Sequence, residues 1–186
     1  MQLPRILKLL QFAMRFAIAL LFGAALIWMV LATSDELPSN ISGVARVVDG
    51  DSLEVAGENV RIKGIDAPEL DQECNANGAA WACGQSAKRA LTELIGGDLV
   101  QCRVSGRDKY RRYLAICEVQ GKDIGKWMVT HGWAISYGDY EFDEAIARRS
   151  GFGIWQGEFD TPQNWRQKSQ IQGGGFSVFE WLANFL

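Results

Sequence analysis

Two short acidic motifs, Val48-Asp49-Gly50-Asp51 and Ile65-Asp66-Ala67-Pro68-Glu69, lie on either side of Arg61, and another arginine, Arg112, follows further along the chain. Asp51, Asp66 and a backbone carbonyl near Ala67 offer hard oxygen donors. The chain's one histidine, His131, lies far from them in sequence, so the donor set favours Ca²⁺ or Mg²⁺ over zinc. Guanidinium groups beside such carboxylates suit phosphoryl chemistry, where a metal and Arg neutralise charge developing on a phosphate. Pro68 fixes its own φ and biases Ala67 to extended geometry, which aims Glu69. Taken singly, each feature has a plainer meaning. Asp and Gly are ordinary turn residues, and a lone Arg usually makes a surface ion pair.

A site requires elements that bring these residues together. Stretches 43–48, 52–55 and 59–63 read as three strands of a meander, with Gly57-Glu58 as a turn. Residues 86–95 change period, placing Ala87, Ala90, Leu91, Leu94 and Ile95 on one helical face before Gly96-Gly97. Segments 99–106 and 112–119 form two more strands around Asp108-Lys109-Tyr110. Asp123 caps a helix ending at Gly132, and a last helix spans 139–149. His131, at the end of the first of these, reads as a cap or surface residue rather than a catalyst. Trp155, Phe159 and Trp165 fall in an irregular tail expected to wrap the core. The order β-β-β-α-β-β-α-α fits an α+β, mainly β domain: a five-stranded barrel of the oligonucleotide/oligosaccharide-binding type with three packed helices. One local conflict arises. Arg61 and Asp66 are an odd number of residues apart, which in an extended strand places them on opposite faces. The strand must end or bend near Gly64 if both serve one site.

Four cysteines all follow the apolar N-terminal stretch. Cys102 and Cys117 are nearly equidistant from the centre of their hairpin turn, which makes them cross-strand neighbours able to bond. Cys74 and Cys83 would then staple a Gly/Asn/Ala-rich loop. The spacing does not match paired zinc knuckles. Disulfides imply an oxidising compartment, and the N-terminus agrees. Phe16–Ala32 carries no charge and follows Arg5, Lys8 and Arg15. Its 17 residues just reach the length that spans a hydrocarbon core. Residues 1–34 thus read as a signal anchor, single-pass with the N-terminus inside, or as a signal peptide cleaved near Ala32-Thr33-Ser34 to leave a secreted or periplasmic protein. Residues 35–42 form a linker, 43–168 the domain, and 169–186 a Gly-rich linker with an apolar segment, 176–186, that packs on the domain or touches membrane or a partner. Of 19 basic and 22 acidic residues, the three cations before Asp35 leave 16 against 22, a net charge of about −6 for the rest. Such a domain has no global field for polyanions and must meet them with a local cluster.

The ordered set VVDGDS, RIKGIDAPE, DKYRRYLA and GIWQGEF…NWR closely resembles the thermonuclease, or staphylococcal-nuclease-like, family over about residues 41–166. The resemblance implies a barrel of the type reached above and one Ca²⁺ held by Asp51, Asp66 and the carbonyl of Ala67, with Asp49 in support and Mg²⁺ as the alternative ion. It implies Glu69 as general base, Arg61 and Arg112 as stabilisers of the pentacoordinate phosphate, Lys109 and Tyr110 on a substrate phosphate, and Tyr137 or Tyr140 on a base or sugar. The implied activity is a monomeric phosphodiesterase leaving 3′-phosphate ends on DNA or RNA. Arg111 stands where the family usually has glycine, and Ser52 and Ala67 where some members carry threonine. Two other readings stay open: a catalytically silent envelope module that binds nucleic acid or protein, and a structural barrel without metal affinity.

Overall fold

The computed structural model describes residues 3–32 and 37–173, and the chain divides into two units, Met1–Leu37 and Pro38–Leu186. The first holds helix α1 (Leu3–Ala32), whose window Phe12–Met29, with a mean hydropathy of 2.0, is long and apolar enough to cross a membrane. Residues 33–36, which hold most of the supposed cleavage site and the start of the linker, lie outside the described residues, as does the apolar segment 176–186.

The second unit begins with β1 (Asn40–Val47), β2 (Ser52–Val55) and β3 (Glu58–Ile62), the expected meander with its second turn at Ala56-Gly57. A two-residue β4 (Ile65–Asp66) follows. The supposed loop around the first cysteine pair is instead a small hairpin, β5 (Cys74–Ala76) and β6 (Ala79–Trp81). Asn77-Gly78, both at positive φ, makes its turn. Helix α2 (Cys83–Ile95) starts three residues earlier than its apolar face suggested and buries Ala87, Ala90, Leu91 and Ile95. Strands β7 (Leu99–Arg107) and β8 (Tyr113–Val119) lead through β9 (Lys122–Asp123) to α3 (Ile124–Thr130), capped by the Asp123 side chain at 2.9 Å from the Lys126 amide. His131 closes α3 from the other end and stacks on Trp127. A short β10 (Ile135–Ser136) pairs with β4, and α4 (Glu141–Ser150) follows.

Sheet order β3-β2-β1-β7-β8 closes on itself through a parallel β3–β8 pair, giving the five-stranded barrel. Inward positions Leu53, Val55, Val60, Ile62, Val100, Ala115 and Val119 alternate with outward ones and fill it. Each large apolar side chain so buried contributes about 1.5–3 kcal/mol. Cys102 faces Cys117 across β7 and β8, and the two are bonded, as are Cys74 and Cys83. The tail departs from expectation. Trp155 belongs to a 3₁₀ turn (Gly153–Gln156), and Trp165 lies not in irregular chain but in a further helix, α5 (Pro162–Gly173). The unit therefore carries four α-helices among the described residues, one more than the three anticipated. Thr161 and Pro162 are the physical reason: the threonine hydroxyl accepts the Asn164 amide at 3.3 Å, and proline suits the first helical position.

Candidate active site

Strand register assembles the floor of the site. Ser52 pairs with Arg61 across β2 and β3, and Arg61 with Leu114 across β3 and β8. Arg112, two residues before Leu114, is thereby brought to the same end and face of the barrel. The bend required after Arg61 is present. Gly64 takes a φ of +82°, and a Cβ there would meet the Asp139 side chain at 2.7 Å. Beyond it β4 sets Asp66 beside Arg61 after all. In the first acidic turn, Asp49 accepts the Asp51 amide at 3.0 Å, which shapes the loop, and it stands at the edge of the same cavity. Gly50 permits a close approach, because a Cβ there would stand 2.6 Å from that of Ala67.

Asp51 and Asp66 are almost completely buried, at 4% and 3% exposure. Arg61 donates to Asp51 at 3.0 Å and to Asp66 at 2.7 Å. The Ala67 amide and the Ser52 hydroxyl complete the hydrogen bonding of Asp51, at 3.1 and 3.0 Å. Burial still pushes the Asp51 carboxyl up to about 7 against the pull of Arg61, and the nearby Asp49 adds to the rise. Burial opposes the charge on Arg61, but Asp51 and Asp66 outweigh it and hold the guanidinium more firmly protonated. Ser52 also accepts from Arg112 at 3.1 Å, so one hydroxyl joins the two sides of the site. Arg112 is fixed in turn by Asp108 at 2.8 Å, a residue whose role sequence reasoning missed. Slight burial works against ionisation of Asp108, yet the bonds from Arg112 bring its carboxyl below the usual range.

These groups line a cavity of about 940 Å³. Lys109, Tyr110 and Tyr137 border it, with Lys109 and Arg112 both over the Tyr110 ring. Tyr140 is not brought in. Its hydroxyl donates to Asp123 at 3.1 Å, and burial together with that carboxylate pushes its pKa up. The remaining wall is α5, whose Gln163, Arg166, Gln167 and Gln170 recur at helical spacing and face the cavity. Arg166 clasps Asp66 through both guanidinium nitrogens, at 3.1 and 2.9 Å, and reaches Glu69 at 2.6 Å. The bond to Asp66 raises its pKa further above the usual arginine value. This arginine sits in the NWR stretch, yet nothing in the sequence marks its role. Sequence reasoning also missed Gln72, fully buried, whose side chain accepts the Glu69 amide at 3.1 Å and donates to the Asp160 carbonyl at 2.7 Å. That one amide ties the Glu69 segment to the approach of α5.

Among the described residues no group of three or more His, Cys, Asp or Glu converges as a ready metal cluster. The donors that could hold a cation are the two buried carboxylates and the Ala67 carbonyl, all hard oxygen. Asp51 and Asp66 are held almost free of solvent within reach of one another through Arg61, a pair of buried hard-oxygen donors that suits a divalent cation. By donor chemistry the residues fit such an ion.

Comparison with known proteins gives a consistent result. Residues 59–157 match the family described as "Staphylococcal nuclease homologue". The chain is 33% identical over 144 residues to the "Succinoglycan biosynthesis protein ExoI" of Rhizobium meliloti, covering 73% of this chain and 75% of that protein. It is 30% identical over 164 residues to an "Uncharacterized endonuclease" of Haemophilus influenzae, covering 82% and 86%. A "Probable staphylococcal-like nuclease CAN2" of Oryza sativa subsp. japonica is 31% identical over 115 residues, which is 58% of this chain and 29% of the plant protein.

Proposed function

Given that the chain belongs to the staphylococcal nuclease homologue family, we propose that it is a Ca²⁺-dependent phosphodiesterase that hydrolyses DNA or RNA to 3′-phosphate products outside the cytoplasm. The observation carrying this reading is the convergence of Asp51, Asp66, Glu69, Arg61 and Arg112 on one cavity. Asp51, Asp66 and the Ala67 carbonyl would hold the ion, with Asp49 shaping their loop. When bound, the cation lowers the cost of charge developing on the phosphate. Glu69 takes a proton from the attacking water as the water oxygen bonds to phosphorus. Arg61 and Arg112 neutralise the non-bridging oxygens. The bond from phosphorus to the 5′-oxygen breaks, and that oxygen leaves with the electron pair and is protonated from solvent. Lys109 and Tyr110 bind a neighbouring phosphate, and the exposed Tyr137 offers a ring face to a base or sugar.

Residues 1–34 serve as an anchor or signal and 35–42 as a linker to a monomeric domain, 43–168. Two support this placement: an apolar helix of membrane-spanning length and two disulfides. A specific observation favours a second reading. One relative is named for succinoglycan biosynthesis, which favours a barrel with a role other than cutting nucleic acid. Incubating the full chain with single- and double-stranded DNA and with RNA, with and without Ca²⁺, separates the two. The nuclease reading expects Ca²⁺-dependent cleavage that Glu69→Gln lowers on the order of 10²–10⁴-fold with the fold intact. Absence of cleavage, or cleavage indifferent to both changes, overturns it.

A further inference from the structure

Arg166 stands in the way of both roles just assigned to its partners. It clasps Asp66 through two nitrogens, where that carboxylate would meet a cation, and it occupies Glu69 Oε1, where a water proton would go. Arg61, which shares Asp66 with it, leaves Glu69 untouched. The residue closes the NWR stretch of the family-like motifs, just past positions 59–157 matched by the family model, and belongs to the wall of glutamines on α5 rather than to the barrel. The helix is held in place independently of this arginine. Trp165 donates to Asp71 at 3.3 Å, Lys168 pairs with Asp160 within its approach, and Gln72 grips the Asp160 carbonyl. Only the side chain need move for the clasp to open.

Charge balance indicates where it would go. When ionised, Asp51, Asp66 and Glu69 carry three negative charges against two positive ones on Arg61 and Arg166. A divalent ion would turn the deficit among these paired groups into an excess of positive charge beside Arg112, which favours an anionic phosphodiester. An arginine released from carboxylates keeps the planar fork suited to two phosphate oxygens.

We propose that Arg166 is a substrate-phosphate ligand that Asp66 and Glu69 hold in store, released to the nucleic acid strand when a divalent cation takes its place on the carboxylates. This rests on the reading of the cavity as a metal-dependent phosphodiesterase site. Its first consequence is that arginine and metal compete, so removing the arginine strengthens metal binding. Its second is that, once metal is bound, removing the arginine weakens the hold on substrate.

The test uses the full chain in detergent micelles, with Ca²⁺ titrated by calorimetry and without reference to turnover. Arg166→Gln is expected to bind Ca²⁺ at least about tenfold more tightly than the parent, and Arg166→Lys to fall between them, since lysine keeps the charge but not the fork. At saturating Ca²⁺, Arg166→Gln is expected to bind a short phosphorothioate DNA oligonucleotide about tenfold more weakly. Should the glutamine variant melt early, the lysine variant alone carries both measurements. Equal or weaker Ca²⁺ affinity in the variants, or unchanged oligonucleotide affinity, overturns the proposal while a Ca²⁺-binding, DNA-cutting parent leaves the nuclease reading standing. If neither parent nor variant binds Ca²⁺, both fall.

Discussion

Asp66 is held by two arginines of different standing. Arg61 comes from the middle of the barrel, where Ser52 and Leu114 fix its backbone on either side, and its side chain is 21% exposed. Arg166 comes from a helix laid against the cavity mouth and is 38% exposed. The first contact is made by the act of building the sheet. The second is a docking of side chains that the fold does not require. Two ion pairs of similar length to one carboxylate can therefore have unlike purposes: one belongs to the architecture, the other is available for exchange.

The comparison breaks most visibly on stability. Arg61→Gln leaves Asp51 and Asp66 short of their buried partner and is expected to cost about 3 kcal/mol, the usual effect of stripping one member from a buried pair. Arg166→Gln is expected to cost less than about 1 kcal/mol, as for a solvent-screened pair. Thermal melts of the two variants in chelator decide it, and equal losses would erase the distinction.

A smaller effect separates the site by pH. The Asp51 carboxyl moves from an ordinary 3.8 to about 7 in the folded chain. Its contribution to the stability of the metal-free fold is therefore fully present below 3.8 and is lost as the pH rises through about 7. Melts in chelator should show that contribution as a higher midpoint on the acid side of neutrality. Ca²⁺ must displace the same proton, so its affinity should fall as pH drops below 7. A Ca²⁺ affinity flat across neutrality would remove Asp51 from the ligand set.

The smallest effect sits on the turn that carries Arg112. Arg111 adopts a φ of +67°, the conformation for which glycine is the natural occupant. A side chain there costs about 1–2 kcal/mol, part of which glycine would return through the greater freedom of its unfolded chain. Arg111→Gly is expected to raise stability by less than about 1 kcal/mol in a denaturant titration. A loss would mean that the side chain contributes more than its backbone strain costs.

What could be read from sequence follows the same division. The strand-borne half was legible because β periodicity, turn residues and hairpin symmetry are local: Asp51, Arg61, Asp66 and Arg112 meet through register, and Cys102 meets Cys117 for the same reason. Even the conflict between Arg61 and Asp66 was resolved where expected, at Gly64. The helical half was not. Residues 162–173 have no apolar stripe, so the glutamines and Arg166 resemble a solvated face, and only Thr161-Pro162 marks a helix start. Tyr140 failed in the opposite way. Its residue type suited a base contact, but whether it faces the cavity or Asp123 depends on how α4 packs against α3.

The parallel pairing of β3 with β8 is, with the antiparallel pairing of β1 and β7, one of the two long-range closures of the barrel. The meander through β3 and the β7–β8 hairpin each form from neighbouring residues, whereas setting Val60 beside Tyr113 closes a long loop and carries its entropy cost late. That same closure is what brings Arg112 to Arg61. Until the barrel shuts there is an acidic turn and a basic turn but no site, so the cavity and its charge pairs exist only in the finished fold.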